Sequence, residues 1–409
     1  MKRTILHWIT ALFTLAACWV LYRAYGPPPY GPVGEMPDPE EEILTSQIAS
    51  NGVSIVNANR TGQTYHRDGH PKNQGCAAAT FTVRQLDWPL RQGVFAEANK
   101  IYKAWIRFSS GNPTVQGDWN PDARGMAVKL LGVPGTKLLD GEENDHTQDF
   151  LMINNPTFFV DNVRSYSQLT LLQEIGFQKN SALTQFGFFF RNDLGGIASP
   201  FSWRLREFRI ATEMLKWPPK NLLADRFYTI SAYTLGVQNY VKYSAKPVAC
   251  SADESVPGSM VWSLSGDALR HQLTDQLKSR RACFDLMVQT QVQQKNMPVE
   301  DTTVEWKESD SPFIPVARIE IPKQDIEPYF QTGFCENLSY TPWHALPQHR
   351  PVGGLNRIRK AVYQGISRYR HCMNGAPTGE PKDDGSPQFE NATCTPSQFY
   401  PQSAASEKH

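Results

Sequence analysis

The chain is nearly without net charge: 41 Lys and Arg against 40 Asp and Glu leave +1 over 409 residues. It therefore lacks the basic footprint of a nucleic-acid binder, and no nucleic-acid partner is expected. Cysteine is scarce, with seven at 18, 76, 250, 283, 335, 372 and 394, and none falls into a CxxC or Cys/His zinc spacing. A zinc site is not expected; Cys372 and Cys394 are candidates for pairing in an oxidising compartment, which spacing leaves open. No internal repeat is visible. What is plentiful is aromatic residues, at 11%, and proline, 30 residues, which together imply many loops around an apolar-lined interior. The length admits one large or two ordinary domains with a sizeable core.

The first residues read as a targeting element. Met1-Lys2-Arg3 is a short basic start, and the 18 residues from Ile5 to Tyr22 contain no Asp, Glu, Lys or Arg, with His7 the one interruption. That is just long enough to span a membrane as a helix. Three readings compete: an uncleaved anchor, a lipoprotein signal at Leu15-Ala16-Ala17-Cys18, and a cleaved signal peptide. All three export the remainder, leaving the basic start inside. Gly26 to Pro32 then reads as a stiff, extended spacer that lifts a domain off a membrane surface.

Strand-like alternation covers 76–83, 104–109, 125–131, 150–153, 227–235, 238–244, 284–292 and 315–321. Helical patterns cover 162–175, 182–191, 203–217, 266–281 and 356–371. Eight strands with a helical insertion predict an α+β fold: a closed antiparallel β-barrel with external helices. The predicted layout is a signal anchor or signal peptide at 1–25, a proline-rich spacer at 26–45, one domain at 46–374, and a loose polar tail at 375–409.

Three constellations carry chemistry. The stretch Arg67-Asp68-Gly69-His70-Pro71-Lys72-Asn73-Gln74-Gly75 sets a histidine between fixed positive charges at a strand entrance, where it reads either as a solvated loop histidine or as an acid/base over an anionic cofactor. In Trp105-Ile106-Arg107-Phe108-Ser109, alternation puts Arg107 and Ser109 on one face, which is either solvated or inward and in need of an anionic partner. On the helix at 356–371, Arg359, Tyr363 and Arg370 share a face. Nearby guanidinium groups favour a phenolate, and a phenolate is a ligand for ferric iron; the alternative is a basic surface helix with an incidental tyrosine.

Taken together these residues resemble the haem catalase family. Arg67 to Lys72 is similar to that family's Arg-x-x-His-Ala-Lys-Gly segment, with Pro71 and Asn73 departing from it. Ile106-Arg107-Phe108-Ser109 and Asp122 to Lys129 resemble its Val-Arg-Phe-Ser and Asp-Pro-Arg-Gly-Phe-Ala-Val-Lys. Asn154-Asn155-Pro156-Thr157-Phe158-Phe159 resembles Asn-Asn-Thr-Pro-Ile-Phe-Phe, one residue shorter, and Arg359 to Arg370 has the spacing of its Arg-Leu-Phe-Ala-Tyr-Pro to Arg. The segments Phe334 to His344 and His349 to Asn356 look typical of a smaller, catalase-like branch.

The resemblance implies haem b enclosed by the eight-stranded barrel, with Tyr363 as the axial ligand of the iron and Arg359 favouring its phenolate. It implies His70 as general base and then acid, Ser109 holding its ring, and Asn154 hydrogen-bonded to peroxide; the missing residue leaves Asn155 open in that role, and an ungapped alignment puts Ile153 there. Arg67, Arg107 and Arg370 would pair with the propionates, and Phe158 would pack by the haem. The expected substrate is hydrogen peroxide or an organic hydroperoxide. The expected reaction is dismutation, with an organic-donor peroxidase, a lipid-hydroperoxide enzyme and a non-enzymatic haem protein as alternatives. A membrane contact through the N-terminal segment, an extracytoplasmic catalytic domain and a homo-oligomer complete the expectation.

Overall fold

A computed structural model describes residues 2–178, 183–190, 199–237, 239–259, 261, 265–389 and 394, with backbone only for 2–9, 177–178 and 183–186. Two helices come first, α1 (Lys2–Tyr25) and α2 (Glu41–Ala58), followed by four antiparallel strands, β1 (Asn73–Val83), β2 (Ile101–Ser110), β3 (Arg124–Leu130) and β4 (Gln148–Ile153). The predicted helical insertion is α3 (Val163–Gln178), α4 (Leu183–Phe190) and α5 (Leu205–Met214). Then come β5 (Phe227–Tyr228), β6 (Tyr233–Leu235), β7 (Asn239–Val248), α6 (Ala268–Ser279), β8 (Ala282–Thr290) and β9 (Ile314–Ile321). Two short helices, α7 (Glu327–Gln331) and α8 (Phe334–Asn337), lead to α9 (Gly354–Asn374).

The strand order β5-β4-β3-β2-β1-β9-β8-β7, closed by pairing of β5 with β7, makes an eight-stranded antiparallel barrel. The predicted strand at 227–235 is broken: β5 and β6 lie along the same edge of β7, separated by residues 229–232. An eight-stranded barrel is just wide enough for side chains to fill it. Here Phe81, Phe95, Ile106, Phe108, Val128, Phe150, Tyr243 and Phe284 fill the interior, all with essentially no exposed surface. The expectation of haem enclosed within the barrel is thereby corrected, because the interior is packed solid. The predicted site residues Arg107 and Ser109 alternate with Ile106 and Phe108 and so stand on the outer face, yet they are only 4% exposed because helices cover them.

The segments outside the barrel also differ from expectation. Among the described residues, no helix is long and apolar enough to cross a membrane. The C-terminal half of α1 lies on α5: Trp19 meets Phe201 edge-on at 5.2 Å, and Arg209 Nε donates to the Ala24 carbonyl at 2.8 Å. The proline-rich stretch runs along the domain rather than standing off it. Asn296 Nδ2 donates to the Pro29 carbonyl at 3.1 Å, and Arg357 binds Glu35 at 3.0 Å, Glu41 at 2.7 Å and Glu300 at 2.8 Å. The boundary drawn at 45/46 falls inside α2, whose Leu44, Ile48, Ile55 and Val56 are buried. The tail is not loose where it is described: Glu380 is buried, and Phe389 packs on Phe334 at 5.1 Å. Residues 390–393 and 395–409 lie outside the described residues. Three disulfides, Cys76–Cys335, Cys250–Cys283 and Cys372–Cys394, have Cα separations of 5.6, 5.2 and 4.6 Å and leave Cys18 free.

Candidate active site

His70 sits in the turn before β1 with φ 54°, a left-handed conformation that histidine tolerates better than most side chains. Two bonds hold it there. Arg107 Nη2 donates to the His70 carbonyl at 3.0 Å, and Nδ1 of the ring is 3.0 Å from Ser109 Oγ. The ring lies so close to β3 that a Cβ at Gly125 would stand 2.7 Å from Nδ1 and 2.6 Å from Ser109 Oγ, so that position requires glycine. Burial, then the positive charges of Arg107, Arg359 and Arg67, push the imidazole down to about 3. His70 is therefore neutral across the physiological range, with one ring nitrogen free of a proton.

The guanidinium groups converge below it. Arg67 is committed to Glu336, with Nη1 2.8 Å from Oε1, and to the carbonyls of Glu336 and Leu338 at 2.9 and 2.6 Å. Arg107 and Arg370 are 4% and 2% exposed, and each is lowered to about 9, first by burial and then by repulsion from Arg67. Arg107 Nε and Arg370 Nη1 have no hydrogen-bond partner; the latter's nearest carboxylate, Glu336, is 3.6 Å away. Burial would raise the Glu336 carboxyl, but Arg67, Arg370 and Arg107 hold it below the usual range. Burial pushes the Asp68 carboxyl up. Three guanidiniums thus share one firmly ionised carboxylate.

On α9, Arg359 stands one turn before Tyr363, its guanidinium 5.5 Å from the phenol ring centre and bonded to Asn356 Oδ1 at 3.1 Å. The Arg359 charge is among those that lower His70. The helix closes with Gly375 in the left-handed region, φ 59°, as a C-terminal cap. Phe158 is half-buried against Phe159 at 4.7 Å.

At the end of β4 both amides are engaged. Asn154 Oδ1 accepts from the Arg124 N–H at 2.8 Å, and its Nδ2 donates to Asp225 at 2.8 Å. Asn155 Nδ2 donates to the Thr157 carbonyl at 2.9 Å, and its Oδ1 accepts from Lys216 at 3.2 Å. Three residues not singled out from sequence complete the surroundings: Glu336, Asp225, and Tyr340, whose buried hydroxyl has no hydrogen-bond partner. Glu336 and Tyr340 were within reach, as they lie in the Phe334 to His344 segment; nothing local marks Asp225.

A closed eight-stranded antiparallel barrel, with a helical insertion after its fourth strand and a long helix facing its outer wall, is here the catalase fold. Two solved structures match it: a fungal catalase, 17% identical over 84% of this chain and 67% of that one with a TM-score of 0.55, and catalase A from Saccharomyces cerevisiae, 17% identical over 84% and 68% with a TM-score of 0.54. The likeness at that identity is one of fold. No protein-family model matches the chain, and no curated protein matches it.

Proposed function

We propose that this chain is a haem-dependent oxidoreductase of the smaller catalase-like type, which decomposes hydroperoxides. The observation that carries the reading is the surplus of buried guanidinium beside a neutral histidine. Arg107 and Arg370 keep unpartnered donors that two carboxylates, such as the propionates of haem b, would satisfy, and buried donors left unpaired are costly. The donor set fits: Tyr363 offers a phenolate oxygen to ferric iron, with the Arg359 guanidinium beside it. When bound, haem supplies the redox iron at which the O–O bond is reduced. His70 takes the proton from the peroxide oxygen nearest it and returns it to the departing oxygen, while Ser109 and Gly125 keep its ring in place. Dismutation balances as two hydrogen peroxide giving two water and one dioxygen. With an organic donor, two one-electron, one-proton losses from a phenol replace the second peroxide.

The test is Tyr363→Phe, which keeps the ring but removes the ligating oxygen. Haem content should fall, or the ferric spectrum should change its axial type, with little loss of fold. Tyr369, which donates to Asn57 Oδ1 at 2.7 Å, is the control. An unchanged spectrum in Tyr363→Phe alongside a lost one in Tyr369→Phe would overturn the assignment.

We also propose that the domain works outside the cytoplasm, where three disulfides persist. The exposed Leu12, Phe13, Leu15 and Leu21 of α1 would be its membrane contact. Alkylation of the unreduced, denatured protein from cells should label one cysteine, Cys18; several labelled thiols, or full recovery without detergent, would remove the export or the membrane part respectively.

A further inference from the structure

The register of β3 against β4 decides which side chain stands beside His70. Gly125 is directly opposite Ile153. Directly opposed residues on antiparallel strands send their side chains to the same face. The Gly125 Cα–Cβ direction points at the His70 ring and Ser109 Oγ. Ile153 therefore leaves the sheet on the His70 side, while its neighbour Met152 turns into the barrel core. Asn154 turns toward the Arg124 backbone and Asp225, and Asn155 toward Thr157 and Lys216, so neither amide takes this position.

Ile153 does not stand alone. It packs with Ala123, Ile210, Met214 and Ile230, and Phe158 and Phe159 lean on the same cluster. The sheet face on which the histidine lies thus continues past Gly125 into a hydrocarbon wall built from β4, α5 and the loops between them. A peroxide at His70 presents two ends. The O–H end needs the imidazole; the other oxygen, and whatever it carries, lies toward the wall. A second hydroxyl there would be buried without a partner, whereas a hydrocarbon group would be buried with gain.

We propose that Ile153 is the specificity-determining residue of this site and that its substrate is an organic hydroperoxide carrying a hydrocarbon group, in preference to hydrogen peroxide. This rests on the haem hydroperoxidase reading. The reaction balances as ROOH plus two phenolic donors giving ROH, water and two phenoxyl radicals. The O–O bond breaks, His70 moves the proton from the O–H oxygen to the oxygen bearing R, and each donor gives up one electron and one proton.

The experiment compares haem-loaded full-length wild type with Ile153→Asn and with Ile153→Thr, which adds a hydroxyl at smaller volume. The readout is kcat/KM for cumene hydroperoxide divided by that for hydrogen peroxide, with guaiacol as donor. The wild-type ratio should exceed one, and Ile153→Asn should lower it by at least about tenfold, with Ile153→Thr between them. A readout without turnover is the optical dissociation constant of the ferric protein for 4-phenylimidazole relative to imidazole, whose preference should fall in parallel. If haem-loaded variants keep the wild-type ratios in both measurements, Ile153 does not set specificity. A wild-type ratio below one overturns the substrate class. A chain that takes up no haem sinks the functional reading itself, and this inference with it.

Discussion

Two groups of buried charge lie on the outer face of neighbouring strands, and they are built differently. Around Lys129 on β3, charge is matched. Its ammonium is 2.9 Å from Asp149 Oδ1 and 3.1 Å from His344 Nδ1, and it also binds Glu380, while His344 Nε2 reaches Glu142 at 2.6 Å. Burial opposes a charge on His344, but Glu380 and Asp149 overcome it and carry the imidazole up to about 10. Glu142, His344 and Glu380 offer ligand atoms within 4.8 Å of one another, the kind of set that would hold a metal ion, and the Lys129 ammonium already supplies the cation there. Around Arg107 on β2, charge is not matched: three guanidiniums share Glu336, and two keep idle donors. The first group finds its opposite charges within the protein and so reads as structural. The second is left with spare donors, which the proposed propionates would satisfy. Tyr340 divides them, its ring 5.4 Å from the Lys129 ammonium and its hydroxyl within the field of both Asp149 and Arg107.

The largest expected effect breaks the matched side. Lys129→Met leaves Asp149 and Glu380, at zero to 7% exposure, with His344 as their only close cation and should cost about 3–5 kcal/mol, read as a lowered denaturation midpoint. Next, His70→Ala should leave haem bound and the denaturation midpoint nearly unchanged, yet slow peroxide consumption by at least about a hundredfold at matched haem content. Wild-type rates in that variant would mean that the neutral imidazole is a bystander. The smallest effect sharpens the contrast. Arg370→Leu removes one surplus cation, so the haem-free protein should be as stable as wild type or slightly more so, while haem is lost faster to a competing apoglobin. A loss of apo-stability as large as that in Lys129→Met would show that the two groups are of one kind.

Much of the barrel was legible because alternation is a local signal. Seven strands fall where apolar and polar residues alternate, and the eighth misleads only because β5 and β6 follow one edge of β7 with a break between them. The stripe Leu44, Ile48, Ile55, Val56 was also readable, but the prolines before it drew the first turn of α2, 41–45, into the spacer. Arg107 and Ser109 were legible as one strand face, and their link to His70 came from the family resemblance; pairing of β1 with β2 brings the three together. The choice among Ile153, Asn154 and Asn155 was not, because register against Gly125 decides it and register is a property of two strands. Asp225 and Glu380 act through partners far away in the chain, and nothing in their own neighbourhoods announces it.

Glu380 has a consequence for how the protein is made. The carboxylate that completes the Lys129 group comes 251 residues after it in the chain. A ribosome delivers β3 and β4, with Lys129 and Asp149, long before it delivers that partner. Asp149 arrives with β4 and pairs with the lysine early, but the second carboxylate comes last, so a truncated product lacking residue 380 would leave this wall with one of its anions missing.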